Sequence, residues 1–187
     1  RILRSVRNGK FYSDFAIATI HAHQSQSVME RFHSSTQPPE FYVDLAHQAI
    51  DNGADIWVGH GVHTLRGLEI YKGKPIFYGL GEFFRQMNWS LQAQLGIDDF
   101  TTSERNGPTP QPLESLLTLS TYQDGELTEV LLYPIELRHN GPDSRLGIPR
   151  IAPPELGQPI LQRVQRLSRE LGTEIDIRDN VGVVRIN

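Results

Sequence analysis

Cysteine is absent from this chain of 187 residues. The absence excludes disulfides, thiolate metal sites and a cysteine nucleophile, and it leaves the redox compartment undetermined. Any metal ion must therefore be held by nitrogen and oxygen atoms. Positive charge is not in excess either, because 18 lysines and arginines stand against 22 aspartates and glutamates, for a net charge of −4. Without a broad basic field, the chain is not expected to take nucleic acid as its main partner.

Long apolar runs are missing as well. No segment approaches the ~20 apolar residues that a helix needs to cross a bilayer, and residues 1–10 lack the apolar core of a signal peptide. A chain of 187 residues suits a single domain, which at about 70% surface burial holds a substantial core. The composition therefore predicts one domain over residues 1–187.

Four histidines occur as two pairs, and each pair stands where an apolar run ends. His21 and His23 follow the run of residues 14–20, and His60 and His63 follow residues 55–58. Both runs are short and nearly uncharged, which is typical of strands covered on both faces. Imidazoles brought together at strand ends are what a divalent-metal site requires. The pattern favours a metal or phosphate site over four unrelated surface histidines.

The two pairs are expected to contribute differently. His21 stands at the strand end and is the expected ligand of the first pair, with His23 either supporting the ligands or contacting substrate. His60 and His63 flank a turn that Gly61 makes possible, so both rings can bend toward one ion.

Three other histidines have no partner at ligand spacing: His33, His47 and His139. Isolated histidines of this kind are usually surface or hydrogen-bonded residues. His47 lies off the apolar stripe of its predicted helix and is expected to face water.

Apolar spacing predicts a helix between the two histidine pairs. It begins after Pro38-Pro39 and ends at Gly53. Its apolar stripe consists of Tyr42, Leu45, Ala46, Ala49 and Ile50. A strand, helix and strand in this order predict two parallel strands with the site at their carboxyl ends.

The rest of the chain is expected to contribute to the fold more than to the site. The predicted elements are hairpins over 68–78 and 116–137, a surface loop or lid over 85–112, an amphipathic helix over 160–171 and a final strand over 181–186. Arg163, Arg166 and Arg169 recur on the polar side of the helix. They could grip an anionic polymer, but a solvated face is the favoured interpretation.

The segment from Gly53 to Phe83, which contains Gly59-His60-Gly61-Val62-His63 and Lys74-Pro75-Ile76-Phe77-Tyr78, resembles the bacterial capsule-synthesis CapA family. That family is associated with poly-γ-glutamate production and belongs to the calcineurin-like metallophosphatase superfamily. The resemblance implies an α/β fold, a β-sandwich of two mixed sheets flanked by helices. It also implies that His21, His60 and His63 are metal ligands.

The chain departs from the family pattern at several positions. Gly61 and Val62 stand where the family usually has histidine and proline, and Gly79 and Glu82 stand where it tends to have serine and asparagine. Glu82 either adds an oxygen ligand or marks an altered site. The chain also lacks the family's Gly-Asp and Asn-His dipeptides. We therefore expect a truncated N-terminus, with the aspartate and asparagine ligands of a two-metal site lying in the missing part.

The resemblance implies a phosphoesterase-type hydrolase whose divalent metal ions bind an oxyanion and activate water. His23 is then a candidate general acid or anion contact, and Arg66 a candidate partner for a substrate phosphate or carboxylate. Two alternatives stay open. One is a scaffold that binds or tethers an anionic capsular polymer beside membrane proteins of capsule synthesis, and the other is an incomplete domain without activity. The resemblance implies an extracytoplasmic or membrane-associated place for a full-length protein, whereas the sequence itself leaves the localisation unknown.

Overall fold

The computed structural model describes residues 1–24, 35–84, 114–137, 145 and 147–186. The helices are α1 (Ile2–Phe11), α2 (Glu40–Asp51) and α3 (Pro154–Arg169). The strands are β1 (Ile17–Ala22), β2 (Ile56–Gly61), β3 (Leu68–Tyr71), β4 (Lys74–Phe77), β5 (Glu114–Gln123), β6 (Glu126–Leu137), β7 (Pro149–Ile151), β8 (Asp176–Arg178) and β9 (Val181–Arg185). The predicted loop or lid over 85–112, together with His33 and His139, lies outside the described residues.

The strands form two sheets. The first has the order β1-β2-β4-β3, in which β2 pairs in parallel with β1 and β4, and β3 pairs antiparallel with β4. The second has the order β5-β6-β9-β8, with β7 also on β6, and every described pair in it is antiparallel. The predicted α/β class with two sheets and flanking helices is confirmed, and the mixed pairing belongs to the first sheet.

Helix α2 covers one face of the first sheet and confirms the predicted strand, helix, strand unit. Its buried residues are Tyr42, Ala46, Ala49 and Ile50, four of the five in the predicted stripe. They share a core with Trp57, Ile76 and Tyr78 of the sheet region. The helix ends as predicted, since Gly53 takes a φ of +104°, a conformation that costs glycine little. This packing holds β1 and β2 parallel, with their carboxyl ends at one edge.

The two sheets share a second core, which α3 completes. Its buried members include Leu68 and Phe77 from the first sheet, Val130 and Leu132 from the second, and Leu161 from α3. A joint core of this kind fixes the position of one sheet relative to the other. Among the helices in the described ranges, none is both long and apolar enough to span a bilayer.

The prediction that β1 is covered on both faces is wrong. Its residues alternate in exposure, and Ile17 is 59% exposed. In the described part of the first sheet β1 is an edge strand, and α1, which lines a pocket together with it, contributes no buried residue. Apolar composition predicted the strand but not how many of its faces are covered.

The prediction that His47 faces water is also wrong. Its side chain is only 28% exposed, and its Nε2 atom lies 2.9 Å from both carboxylate oxygens of Glu69. Its ring stacks on that of Tyr71 with the centroids 3.9 Å apart. His47 is therefore a hydrogen-bonded structural residue, held between α2 and β3.

Two of the three arginines on α3 form ion pairs. Arg163 binds the carboxylate of Glu114 through both of its terminal nitrogens, at 2.6 and 2.8 Å. Burial raises the pKa of Glu114 to about 7, and Arg163 opposes that rise. Arg169 pairs with Glu174 at 3.1 Å. The arginine-bearing side of α3 is therefore only partly the solvated face that the sequence predicted.

Asp55 ties the starts of β1 and β2 to α1. Its Oδ2 atom accepts hydrogen bonds from Lys10 Nζ at 2.9 Å and from the Ala16 amide at 2.8 Å, and Lys74 donates to Oδ1 at 3.0 Å. Burial alone would raise the pKa of Asp55, but these hydrogen bonds outweigh it and the net pKa is lowered. The ionised carboxylate therefore stabilises the fold.

We predict that Asp55→Asn lowers the free energy of unfolding by about 1–3 kcal/mol at pH 7, because charge-assisted hydrogen bonds are lost. Because folding lowers this pKa, the difference between wild type and variant is fully present above the unfolded pKa of ~3.9 and vanishes as pH falls through the folded value. Urea unfolding at pH 7 measures the loss of unfolding free energy, and the same experiment at pH 3 measures how much of that loss disappears in acid. Asp44→Asn, at an exposed position on α2, is the control. Equal losses for the two variants at pH 7 would contradict this role.

Candidate metal centre

His21 and His60 face each other across the first sheet. They are register partners in the parallel pair of β1 and β2, and opposed residues of neighbouring strands project to the same face. Their Nδ1 atoms lie 3.1 Å apart and their ring centroids 4.9 Å apart. The strand ends thus bring together two imidazoles that are 39 residues apart in the sequence.

His23 lies just beyond β1 and joins the same group. Its Nε2 atom is 2.8 Å from Nε2 of His21, and its ring centroid is 5.7 Å from that of His63. Its pKa is lowered, first by burial and then by the electrostatic effect of the neighbouring His21 and His63 rings. The lowered pKa favours the neutral ring, which is the form that binds metal ions.

His63 completes the group and contacts a carboxylate. Its Nδ1 atom pairs with Oε1 of Glu82. The imidazole is 38% exposed, whereas the Glu82 side chain is only 8% exposed. In the sequence, Glu82 stands out only because it departs from the family pattern. The structure shows that this glutamate contacts His63.

Gly61 makes room for the ring of His21. A Cβ atom at position 61 would lie 2.9 Å from Cδ2 and 3.0 Å from Nε2 of His21, and the φ of Gly61 is +98°. Few other residues adopt that conformation. The glycine between His60 and His63 therefore serves packing as well as the turn.

Arg66 is buried beside this group. It is 2% exposed, and it donates hydrogen bonds to the backbone oxygens of Gln24 at 2.8 Å and Ser35 at 3.1 Å. Its guanidinium thus holds the residue that follows His23. A direct contact between Arg66 and substrate stays a prediction.

The donor atoms match a divalent metal ion in their chemistry. Two imidazoles bound to one ion at ~2.0–2.1 Å have nitrogens roughly 3 Å apart, close to the 3.1 Å between His21 and His60. The rings now point at one another, however. Within the described ranges, no three His, Asp or Glu side chains already stand as a ligand set. Ion binding would therefore need rotation of the rings.

A known family matches the part of the chain that contains this histidine group. Residues 1–87 match the family described as bacterial capsule synthesis protein PGA_cap. This stretch contains the four clustered histidines, Arg66 and Glu82. The part of the chain that carries the candidate site thus matches this capsule-synthesis family.

The curated relatives of this chain differ in how much of their sequence they share with it. An uncharacterized protein of Sinorhizobium fredii, y4sH, is 38% identical across 99% of this chain, which spans 44% of that protein. A probable polyglutamine synthesis accessory protein of Mycobacterium tuberculosis, Rv0574c, is 28% identical over 74% of this chain and 32% of its own length. The PGA biosynthesis protein CapA of Bacillus subtilis is 48% identical over 25% of this chain and 12% of its own length. The chain thus spans less than half of the length of these relatives.

We predict that Gly61→Ala displaces the ring of His21, because the added methyl group would contact it. The cost of a positive φ alone is about 1–2 kcal/mol for an alanine. Gly73→Ala is the matched control, since Gly73 has a φ of +73° and nothing within 4 Å of its Cβ position. Histidine ring NMR signals and urea unfolding measure the two effects. We expect Gly61→Ala alone to shift the His21 signals and to lose more stability. Unchanged His21 signals would contradict the packing argument.

Proposed function

We propose that this chain supplies the histidine side of a metal-dependent, phosphoesterase-type hydrolase site that acts on an anionic substrate in capsule or poly-γ-glutamate biosynthesis. The observation that carries the proposal is the meeting of His21, His60, His63 and His23 at one edge of the first sheet. The name of the Bacillus subtilis relative, PGA biosynthesis protein CapA, supports the biological setting.

In this proposal His21, His60 and His63 hold divalent metal ions. Such an ion, when bound, lowers the pKa of a coordinated water to ~7 and attracts an oxyanion. A two-ion site would take further ligands besides these imidazoles, and we propose that a longer protein, of which this chain would be a part, supplies them. His23 stands beside these ligands, with its Nε2 atom 2.8 Å from that of His21. We propose it as the general acid, which in its protonated form would give a proton to a leaving oxygen, or as a hydrogen-bond donor to the anion.

The second candidate is a scaffold that binds or tethers an anionic capsular polymer without turnover, next to membrane proteins of capsule synthesis. The observation that favours it is the pairing of ring nitrogens with each other, His21 with both His60 and His23. Fold and family do not separate an enzyme from a binding protein. Metal content and turnover do.

We predict that the intact protein binds Zn²⁺ or Mn²⁺ and that His60→Ala and His63→Ala each weaken this binding by at least about tenfold. A loss of about tenfold in metal affinity is already typical when a residue that only hydrogen-bonds to a ligand is removed. Isothermal titration calorimetry with the metal salt measures the affinity. His47→Ala is the control, because His47 pairs with Glu69 away from the cluster. Equal affinity in the wild type, His60→Ala and His63→Ala would rule out these histidines as ligands.

We predict that the metal-loaded protein hydrolyses a phosphodiester or a γ-glutamyl substrate and that a chelator abolishes turnover. His23→Ala should lower the rate by roughly 10²–10⁴-fold, as expected for loss of a general acid. Metal content, measured by mass spectrometry, should stay the same in this variant. Bound metal without turnover on either substrate would instead support the scaffold.

A further inference from the structure

We propose that Glu82 is a positioning residue of the metal site, which holds His63 by Nδ1 and thereby presents Nε2 of His63 to the ion. This inference rests on the proposed metal site and adds the identity of the coordinating nitrogen.

The contact between the two side chains determines the tautomer. An ionised carboxylate only accepts hydrogen bonds, so the Nδ1 atom of His63 that pairs with Oε1 of Glu82 must carry the proton. In a neutral imidazole the other nitrogen, Nε2, then has the free electron pair. Histidines that bind metal ions commonly donate their second ring N–H to a carboxylate, which fixes the ring and strengthens the ligand.

Exposure indicates which of the two groups meets the ion. The imidazole of His63 is 38% exposed, whereas the Glu82 side chain is only 8% exposed. The ring is therefore the more accessible group of the pair. Glu82 accordingly supports a ligand rather than serving as one.

The second sheet anchors Glu82. Its amide donates to the backbone oxygen of Glu114 at 3.0 Å, and Gly81 forms an isolated bridge with Ser115. Ser115 Oγ donates to the backbone oxygen of Leu80 at 2.6 Å. The approach is close, because a Cβ atom at Gly81 would lie 2.2 Å from that Glu114 oxygen. The contact between the sheets thus sets where the carboxylate stands.

The test uses Glu82→Ala and Glu82→Gln in the intact protein. Glutamine keeps an acceptor for the Nδ1 proton but removes the charge. Long-range ¹H–¹⁵N NMR of the metal-free protein reports the His63 tautomer, and calorimetry with Zn²⁺ alone reports affinity. We expect Glu82→Ala to lose the single Nδ1–H tautomer and to bind Zn²⁺ about 10–100-fold more weakly. Glu82→Gln should keep the tautomer and most of the affinity.

Glu69→Gln is the matched control, because Glu69 also pairs with a histidine, through Nε2 of His47, but outside the cluster. It should leave the His63 tautomer and the Zn²⁺ affinity unchanged. The proposal is overturned if wild-type His63 carries its proton on Nε2, a readout that needs no variant to fold. It is equally overturned if Glu82→Gln weakens Zn²⁺ binding as much as Glu82→Ala, since the carboxylate would then be a ligand. A wild-type protein that binds no Zn²⁺ refutes the proposed function, whereas the tautomer separately decides the role of Glu82.

Discussion

Backbone hydrogen bonds between β1 and β2 fix the register that puts His21 opposite His60. A slip of one residue would turn His21 to the other face of the sheet. At the far ends of the same strands, the Asp55 amide donates to the Ala16 backbone oxygen and the Asp55 carboxylate accepts from the Ala16 amide, both at 2.8 Å. A carboxylate at one end of the pair therefore helps to determine which imidazoles meet at the other.

The packing of the two sheets controls the second part of the cluster. His63 lies beyond β2, and its partner Glu82 is attached to the second sheet through the bridge between Gly81 and Ser115. Loss of sheet packing would thus separate His63 from its carboxylate without breaking β1 from β2. The site depends on two independent structural contacts, one within a sheet and one between sheets.

Local patterns predicted much of the fold. The apolar runs before His21 and His60, the stripe of α2 and the hairpin over 116–137 could be predicted because each is determined by residues close in sequence. Helix α1 was not predicted, and it buries none of its residues. Only part of the candidate site could be predicted from the sequence. The meeting of the histidines follows from parallel strands, whereas the contacts of Arg66 and Glu82 join segments that only the three-dimensional packing brings together.

The most direct test of the shared histidine site is a crystal structure of the intact protein grown with Zn²⁺, with anomalous diffraction recorded at the zinc edge. We expect an anomalous peak at about 2.0–2.1 Å from ring nitrogens of both His21 and His60, with Nε2 of His63 turned toward the same cluster. The shared site is contradicted if the peak lies elsewhere, or if the rings of His21 and His60 stand apart on opposite faces of the sheet.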